Sequence, residues 1–155
     1  MPTPWRITEA DPQGPEALGL LRQAAVEARA LYPELFSADA PWPGNTPTPP
    51  RGVYLLVWQG EQAVGMGAHR PLDEHRTELR RMFVRADARH HGVAQALLQA
   101  LEQHARSQGF GQMLLETGER QAPAMRLYEA AGYQAIPPFG PYVGDPVSRC
   151  YAKRL

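Results

Sequence analysis

The stretch RHHGVAQALLQALEQHARSQ, residues 89–108, carries the clearest periodic pattern in the chain. Its apolar residues recur every three or four positions, which is the spacing of one face of an amphipathic helix. Gly109 follows, and glycine readily takes the left-handed conformation that ends a helix. The pattern therefore predicts a helix over residues 92–108. The positions expected to face the core are Val93, Ala94, Leu97, Leu98, Leu101 and Ala105.

Extended segments precede this helix. Residues 5–7 predict a first strand, and residues 52–59 and 62–69, separated by two turn residues, predict a hairpin. Residues 77–85 predict a fourth strand, whose side chains alternate between two faces. One face would carry Leu79, Arg81 and Phe83, and the other Glu78, Arg80, Met82 and Val84.

Strands and helices alternate in the rest of the chain. Residues 15–30 and 122–131 have helical spacing, residues 113–116 and 147–153 are suited to strands, and the proline-rich residues 41–50 predict a loop. The order is β, α, β, β, β, α, β, α, β, with a hairpin before the helical crossovers. This order predicts an α/β protein with a mixed sheet.

Composition narrows the classes of protein to consider. The chain has 155 residues, with 16 Lys plus Arg, 16 Asp plus Glu and one cysteine. That length fits one domain, residues 1–155, and the zero net charge argues against general nucleic-acid binding. The first residues lack a signal-peptide pattern, and no stretch approaches the ~18 apolar residues of a membrane span. We therefore expect a cytoplasmic protein that binds neither nucleic acid nor membrane.

The turn before the long helix has the features of an anion site. Such a turn leaves backbone N–H groups unpaired, and the helix dipole adds partial positive charge there. Gly92 would let the backbone approach a pyrophosphate, Ala94 would let the helix lie close to it, and Arg89 could add charge-assisted hydrogen bonds. The alternative is that Gly92 only relaxes the turn, with Arg89, His90 and His91 in solvent.

At these residues the chain resembles the GCN5-related N-acetyltransferase (GNAT) superfamily. The superfamily signature Q/R-x-x-G-x-G/A after the fourth strand is matched by Arg89, Gly92 and Ala94. The resemblance is specific over residues 78–133. It implies a GNAT-like fold, in which a mixed, mostly antiparallel central sheet is splayed between the fourth and fifth strands and flanked by helices. The second half of the signature is similar to Ala124, Leu127, Tyr128, Gly132 and Tyr133.

The resemblance implies acetyl-CoA as cosubstrate, and the spacing of the His, Cys and acidic residues predicts no metal site. The strand that begins near Gly111 would splay from the fourth strand to admit the pantetheine arm, and Gln121 would reach the cofactor where an asparagine is commoner. Strand residues expected to pair with that arm are Met82, Phe83 and Val84. Residues expected to hold the pyrophosphate are Arg89, His90, His91, Gly92, Val93 and Ala94.

Acyl transfer to an amine requires a neutral amine and a proton for the departing thiolate. The resemblance implies that Tyr128 is the general acid, and its alternative role is packing on the short helix. Glu78 is placed to take the amine proton directly or through water. The alternative for Glu78 is a surface salt bridge with Arg80 or Arg81.

Other chemistry-bearing residues give weaker signals. His90 and His91 are adjacent and cannot converge on a metal from a regular helix. Cys150 has no evident histidine partner, which favours an inert buried thiol. A basic cluster is better explained by an anionic nucleotide cofactor than by DNA. That cluster consists of Arg76, Arg80, Arg81, Arg85 and Arg89.

We therefore predict an acetyl-CoA-dependent N-acetyltransferase that acts on a primary amine of a small molecule or amino acid. The acceptor wall is expected from residues 30–51 and 136–145, which carry little charge beyond Glu34, Asp39 and Asp145. The alternatives are a catalytically silent acetyl-CoA-binding regulatory module and an acetyltransferase of protein amines. The acceptor's identity and a homodimer are left open.

Overall fold

The computed structural model describes residues 4–155 of the chain. In that range the helices are α1 (Pro15–Leu31), α2 (Val93–Ser107) and α3 (Ala122–Ala130). The strands are β1 (Trp5–Glu9), β2 (Val53–Gln59), β3 (Gln62–Pro71), β4 (Arg76–Val84), β5 (Gln112–Gly118), β6 (Gln134–Ile136) and β7 (Ser148–Arg154).

The strands form one sheet in the order β1-β2-β3-β4-β5-β7-β6, in which β4 and β5 are parallel and the other neighbours antiparallel. This confirms the predicted α/β class and mixed sheet. Every predicted helix and strand is present. The sequence pattern does not predict β6, whose three residues at the sheet edge are too few to show a period.

The two faces of the sheet are covered by different helices. α2 packs one face with fully buried Leu97 and Leu101, and Tyr128 of α3 joins the same cluster. α1 packs the other face through Leu20 and Leu21. The hydrophobic effect thus explains why these three amphipathic segments lie where they do.

The sheet opens between β4 and β5, as the resemblance implies. The two strands pair only from Arg76 opposite Gln112 to Leu79 opposite Leu115. β5 continues along β7 as far as Gly118. Residues 80–84 of β4 therefore have no pairing partner in β5, which leaves a cleft along this half of the sheet.

The alternation predicted for β4 is wrong beyond Arg80, because the strand contains a β-bulge. The partner of Arg80 is Ala68 and the partner of Phe83 is Met66, so three steps on β4 match two on β3. Arg81 takes the left-handed conformation, with φ of 62°. The extra residue exchanges the faces. Met82 and Val84 consequently join Leu79 on the α2 side, whereas Phe83 packs on the α1 side.

Candidate active site

The turn that leads into α2 presents a row of free backbone donors. Within residues 4–155, none of the amides of residues 90–95 donates to a protein acceptor, and the first that does is Ala96, to the Gly92 carbonyl at 3.0 Å. His90 and Gly92 take left-handed conformations, with φ of 67° and 80°. Six consecutive N–H groups at the positive end of a helix form a site that suits a phosphate oxyanion.

Glycine is favoured at the centre of this turn. A left-handed φ costs a residue with a Cβ more than it costs glycine. Nothing lies within 4 Å of the position that a Cβ on Gly92 would take. The space in front of the amides is therefore open to a ligand.

The Arg89 side chain is held by two protein partners. Its Nη2 donates to the Glu27 carboxylate of α1 at 2.7 Å, and its Nε donates to the Val84 carbonyl at 2.8 Å. The guanidinium thus ties α1 and the end of β4 to the turn. Its role toward a pyrophosphate stays a prediction, and so do the roles of His90 and His91, which are both exposed.

The cleft beyond the turn is bordered by β4 and by the start of α3. Met82, Phe83 and Val84 lie on the part of β4 that has no partner in β5. Gln121 is half-buried at the N-terminus of α3, and its amide donates to the Gly118 carbonyl at 3.0 Å. Residues 82–84 therefore border the opening between β4 and β5, and Gln121 lies between the end of β5 and the start of α3.

Tyr128 of α3 lies in the hydrophobic core. Its side chain is 6% exposed and its ring contacts Tyr133 edge-on, with centroids 5.8 Å apart. Burial raises the pKa of the Tyr128 phenol, so the hydroxyl holds its proton at neutral pH. Tyr128 therefore packs like a core residue and also carries a proton that it could donate.

Glu78 is buried, and within residues 4–155 its carboxylate forms no salt bridge with Arg80 or Arg81. Its Oε2 accepts a hydrogen bond from the Tyr142 hydroxyl at 2.7 Å, and Arg70 Nε lies 3.6 Å from Oε1. Burial, together with the Glu78 carboxylate, raises the pKa of Tyr142. Tyr142 therefore acts as a donor that holds the Glu78 carboxylate in place.

A second carboxylate in this region, that of the half-buried Glu116, was not singled out from the sequence. Glu116 is the first residue of β5 beyond its pairing with β4, and its Oε2 accepts a hydrogen bond from Ser148 Oγ at 2.6 Å. Burial raises the pKa of Glu116. The available signal was an acidic residue that ends the apolar run of a central strand.

The basic cluster does not form one cofactor site. Arg76, Arg85 and Arg89 pair with Asp73, Asp87 and Glu27. Arg80 and Arg81 instead line a pocket of about 130 Å³ under residues 44–49. These arginines are close in sequence but point in different directions, because they lie on a strand, at a β-bulge and in the following turn.

Neither a membrane-spanning helix nor a cluster of metal-binding side chains is found in the described residues. No helix in it is both long and apolar enough to cross a membrane. Within residues 4–155, no group of three or more His, Cys, Asp or Glu side chains is arranged to hold a metal ion. Cys150 is a free, buried thiol, and burial raises its pKa.

Known proteins resemble this chain in sequence and in fold. The N-acetyltransferase YsnE of Bacillus subtilis is 34% identical over 108 residues, which cover 68% of this chain and 72% of that protein. Other curated relatives match over 51% and 40% of their own lengths. A putative acyl-CoA N-acyltransferase from Klebsiella pneumoniae superposes with a TM-score of 0.79 at 31% identity, over 97% of both chains.

A more distant structure shares the fold. A GNAT family acetyltransferase from Elizabethkingia anophelis, solved with acetyl-CoA bound, gives a TM-score of 0.68 at 15% identity, over 97% of this chain and 98% of that one. The family model described as acetyltransferase (GNAT) matches residues 21–133. The open sheet, the free amides before α2 and these matches together show that the chain belongs to the GNAT family of acetyltransferases.

Proposed function

We propose that this chain is an acetyl-CoA-dependent N-acetyltransferase that acetylates the primary amine of a small molecule or an amino acid. Residues 1–155 would act as one catalytic domain. The observation that carries the proposal is the row of six free amides, residues 90–95, at the start of α2. Those donors stand at the same end of β4 as the cleft between β4 and β5.

The residues present fit acetyl-CoA. The amides of residues 90–95 would bind the pyrophosphate, with Gly92 keeping the approach open. The free edge of β4 at residues 82–84 would bind the pantetheine arm, and Gln121 stands at the border of the same cleft. When bound, acetyl-CoA supplies the acetyl group as a thioester, whose C–S bond is exchanged for an amide C–N bond.

The protein side chains supply the two proton transfers. Glu78 would accept the proton that the acceptor amine loses, directly or through water, with Tyr142 orienting the carboxylate. Tyr128 would donate the proton that the released thiol takes, since its phenol is protonated at neutral pH. Glu116, held by Ser148, is the other carboxylate near the point where the sheet opens.

A charge placed in the turn tests this proposal. Gly92→Glu would add a side chain, a negative charge and a strained left-handed residue where the pyrophosphate must approach. Gly60→Glu is the matched control, because Gly60 also has a left-handed φ and nothing within 4 Å of its Cβ position, but lies in the β2–β3 turn.

We expect Gly92→Glu to abolish acetyl-CoA binding in calorimetry and Gly60→Glu to leave it intact. Release of free thiol from acetyl-CoA in the presence of amines tests the activity of the parent. Equal acetyl-CoA affinity in the Gly92→Glu variant and the parent would show that the pyrophosphate is bound elsewhere. Tight binding without thiol release on any amine would favour the silent regulatory module.

A further inference from the structure

Among the described residues that line the pocket beside β4, the charged ones are all arginines. Arg70, Arg80 and Arg81 line it, and none of its lining residues within 4–155 is acidic. The protein as a whole is neutral, with 16 basic and 16 acidic residues, so this is a local excess. A volume of about 130 Å³ suits a group of a few atoms, since sites for drug-sized ligands are ~300–1,000 Å³.

The three arginines differ in their partners. Arg81 donates from Nε to Asn45 Oδ1 at 3.0 Å and from Nη2 to the Gly44 carbonyl at 3.1 Å, which holds it against the loop. Arg70 Nε lies 3.6 Å from the Glu78 carboxylate. The half-buried Arg80 guanidinium makes none of the side-chain hydrogen bonds or ion pairs found in residues 4–155. Its donors are therefore free for a ligand.

Arg80 is also close to the proposed chemistry. Glu78 and Arg80 lie two residues apart on the same face of β4, so their Cα atoms are ~7 Å apart along the strand. The pairing of β4 with β5 ends between them, at Leu79 and Leu115. An acceptor at this point would meet a carboxylate at one end and a free guanidinium at the other.

We propose that the acceptor is an aminocarboxylate, such as an amino acid, and that Arg80 binds its carboxylate while its amine lies toward Glu78. A guanidinium and a carboxylate match in shape and form two parallel hydrogen bonds. One free arginine matches the single charge of a carboxylate better than the double charge of a phosphate. The inference rests on the proposed function and names the acceptor class for that site.

Hydrogen bonds of Asn45 hold the loop that lies over the pocket. Asn45 donates from Nδ2 to the Pro12 carbonyl at 2.7 Å and accepts from Arg81, so residues 44–49 are held over the arginines. A loop held there would shield one side of the half-buried Arg80 guanidinium, and a charge-assisted hydrogen bond is stronger where less water surrounds it.

The test compares L-amino acids with the corresponding amino acid amides, which keep the amine and remove the carboxylate charge. Both binding, by calorimetry in the presence of CoA, and acetyl-CoA-dependent thiol release are measured. The proteins are the parent, Arg80→Gln, Arg80→Lys and the control Arg154→Gln, which removes an exposed arginine at the end of β7. Aminoalkylphosphonates are a third set of ligands, which tests whether the pocket prefers a carboxylate to a phosphate-like anion.

We expect the parent to bind its best amino acid at least about tenfold more tightly than the amide, because the amide lacks the negative charge that the guanidinium would pair with. Arg80→Gln should bring this ratio close to one, Arg80→Lys should restore part of it, and Arg154→Gln should leave it as in the parent. A parent that binds amides or phosphonates as well as amino acids would overturn the inference, as would an unchanged ratio in Arg80→Gln.

The two readouts separate this inference from the proposed function. Carboxylate-dependent binding that Arg80→Gln removes, without thiol release from any acceptor, would support the inference and contradict the proposed activity. Thiol release with amides and amino acids alike would support the activity and contradict the inference.

Discussion

Replacing Tyr128 by phenylalanine separates catalysis from packing. The side chain is 6% exposed, and Tyr128→Phe keeps the ring and its contact with Tyr133. Only the hydroxyl is lost, so we expect the free energy of unfolding to change by less than about 1 kcal/mol, whereas removing the whole buried ring would cost roughly 3–5 kcal/mol. General acid catalysis is worth ~10²–10⁴-fold in rate, or ~2.7–5.4 kcal/mol of transition-state stabilisation.

The assay is steady-state thiol release on the best acceptor, with acetyl-CoA affinity by calorimetry and melting temperature by calorimetric scan. We expect kcat to fall at least ~100-fold while affinity and melting temperature stay nearly unchanged, because the hydroxyl acts in the transition state. Turnover at the parental rate would refute the general-acid role, and thiolate departure would then need water or another donor.

Tyr133→Phe is the matched control with the opposite expectation. The Tyr133 hydroxyl donates to buried Glu102 Oε2 at 2.8 Å, and Lys153 still contacts Glu102 after the change. Losing this bond should lower stability by ~1–3 kcal/mol and leave kcat close to the parental value. A large fall in kcat in both variants would indicate that the tyrosine cluster, and not the Tyr128 proton, supports turnover.

Two further predictions concern titratable groups. Glu78→Gln should lower kcat/KM by ~10²-fold or more and flatten the acid limb of its pH profile. If Glu116→Gln has this effect and Glu78→Gln does not, the general base is Glu116 on β5. For stability, burial and then His104 lower the pKa of His69 from 6.5 to about 4. Because the unfolded chain binds a proton there that the folded chain does not, the free energy of unfolding should fall by roughly 3 kcal/mol as pH drops from about 6.5 to 4. Urea titrations across this range should show a smaller loss in His69→Gln, and an equal loss would contradict the assignment.

Local sequence determined the parts of the fold that depend on neighbouring residues. The apolar spacing of residues 92–108 and the glycine after them predicted α2, and the hairpin followed from two extended runs around a short turn. The anion site belongs to this group as well, because unpaired amides at a helix N-terminus need only a strand, a turn and a helix in succession. Gly92 could therefore be identified from the chain alone.

Tertiary structure decided which side chains meet. The partner of Glu78 is Tyr142, 64 residues away, and Arg89 pairs with Glu27, 62 residues away, so neither contact has a local signal. The period of two along β4 fails at Arg81 because pairing with β3 inserts an extra residue there. Side-chain direction in a strand depends on the register with its neighbours, which the strand's own sequence does not specify. For that reason the pocket around Arg80 emerged only when the sheet was assembled.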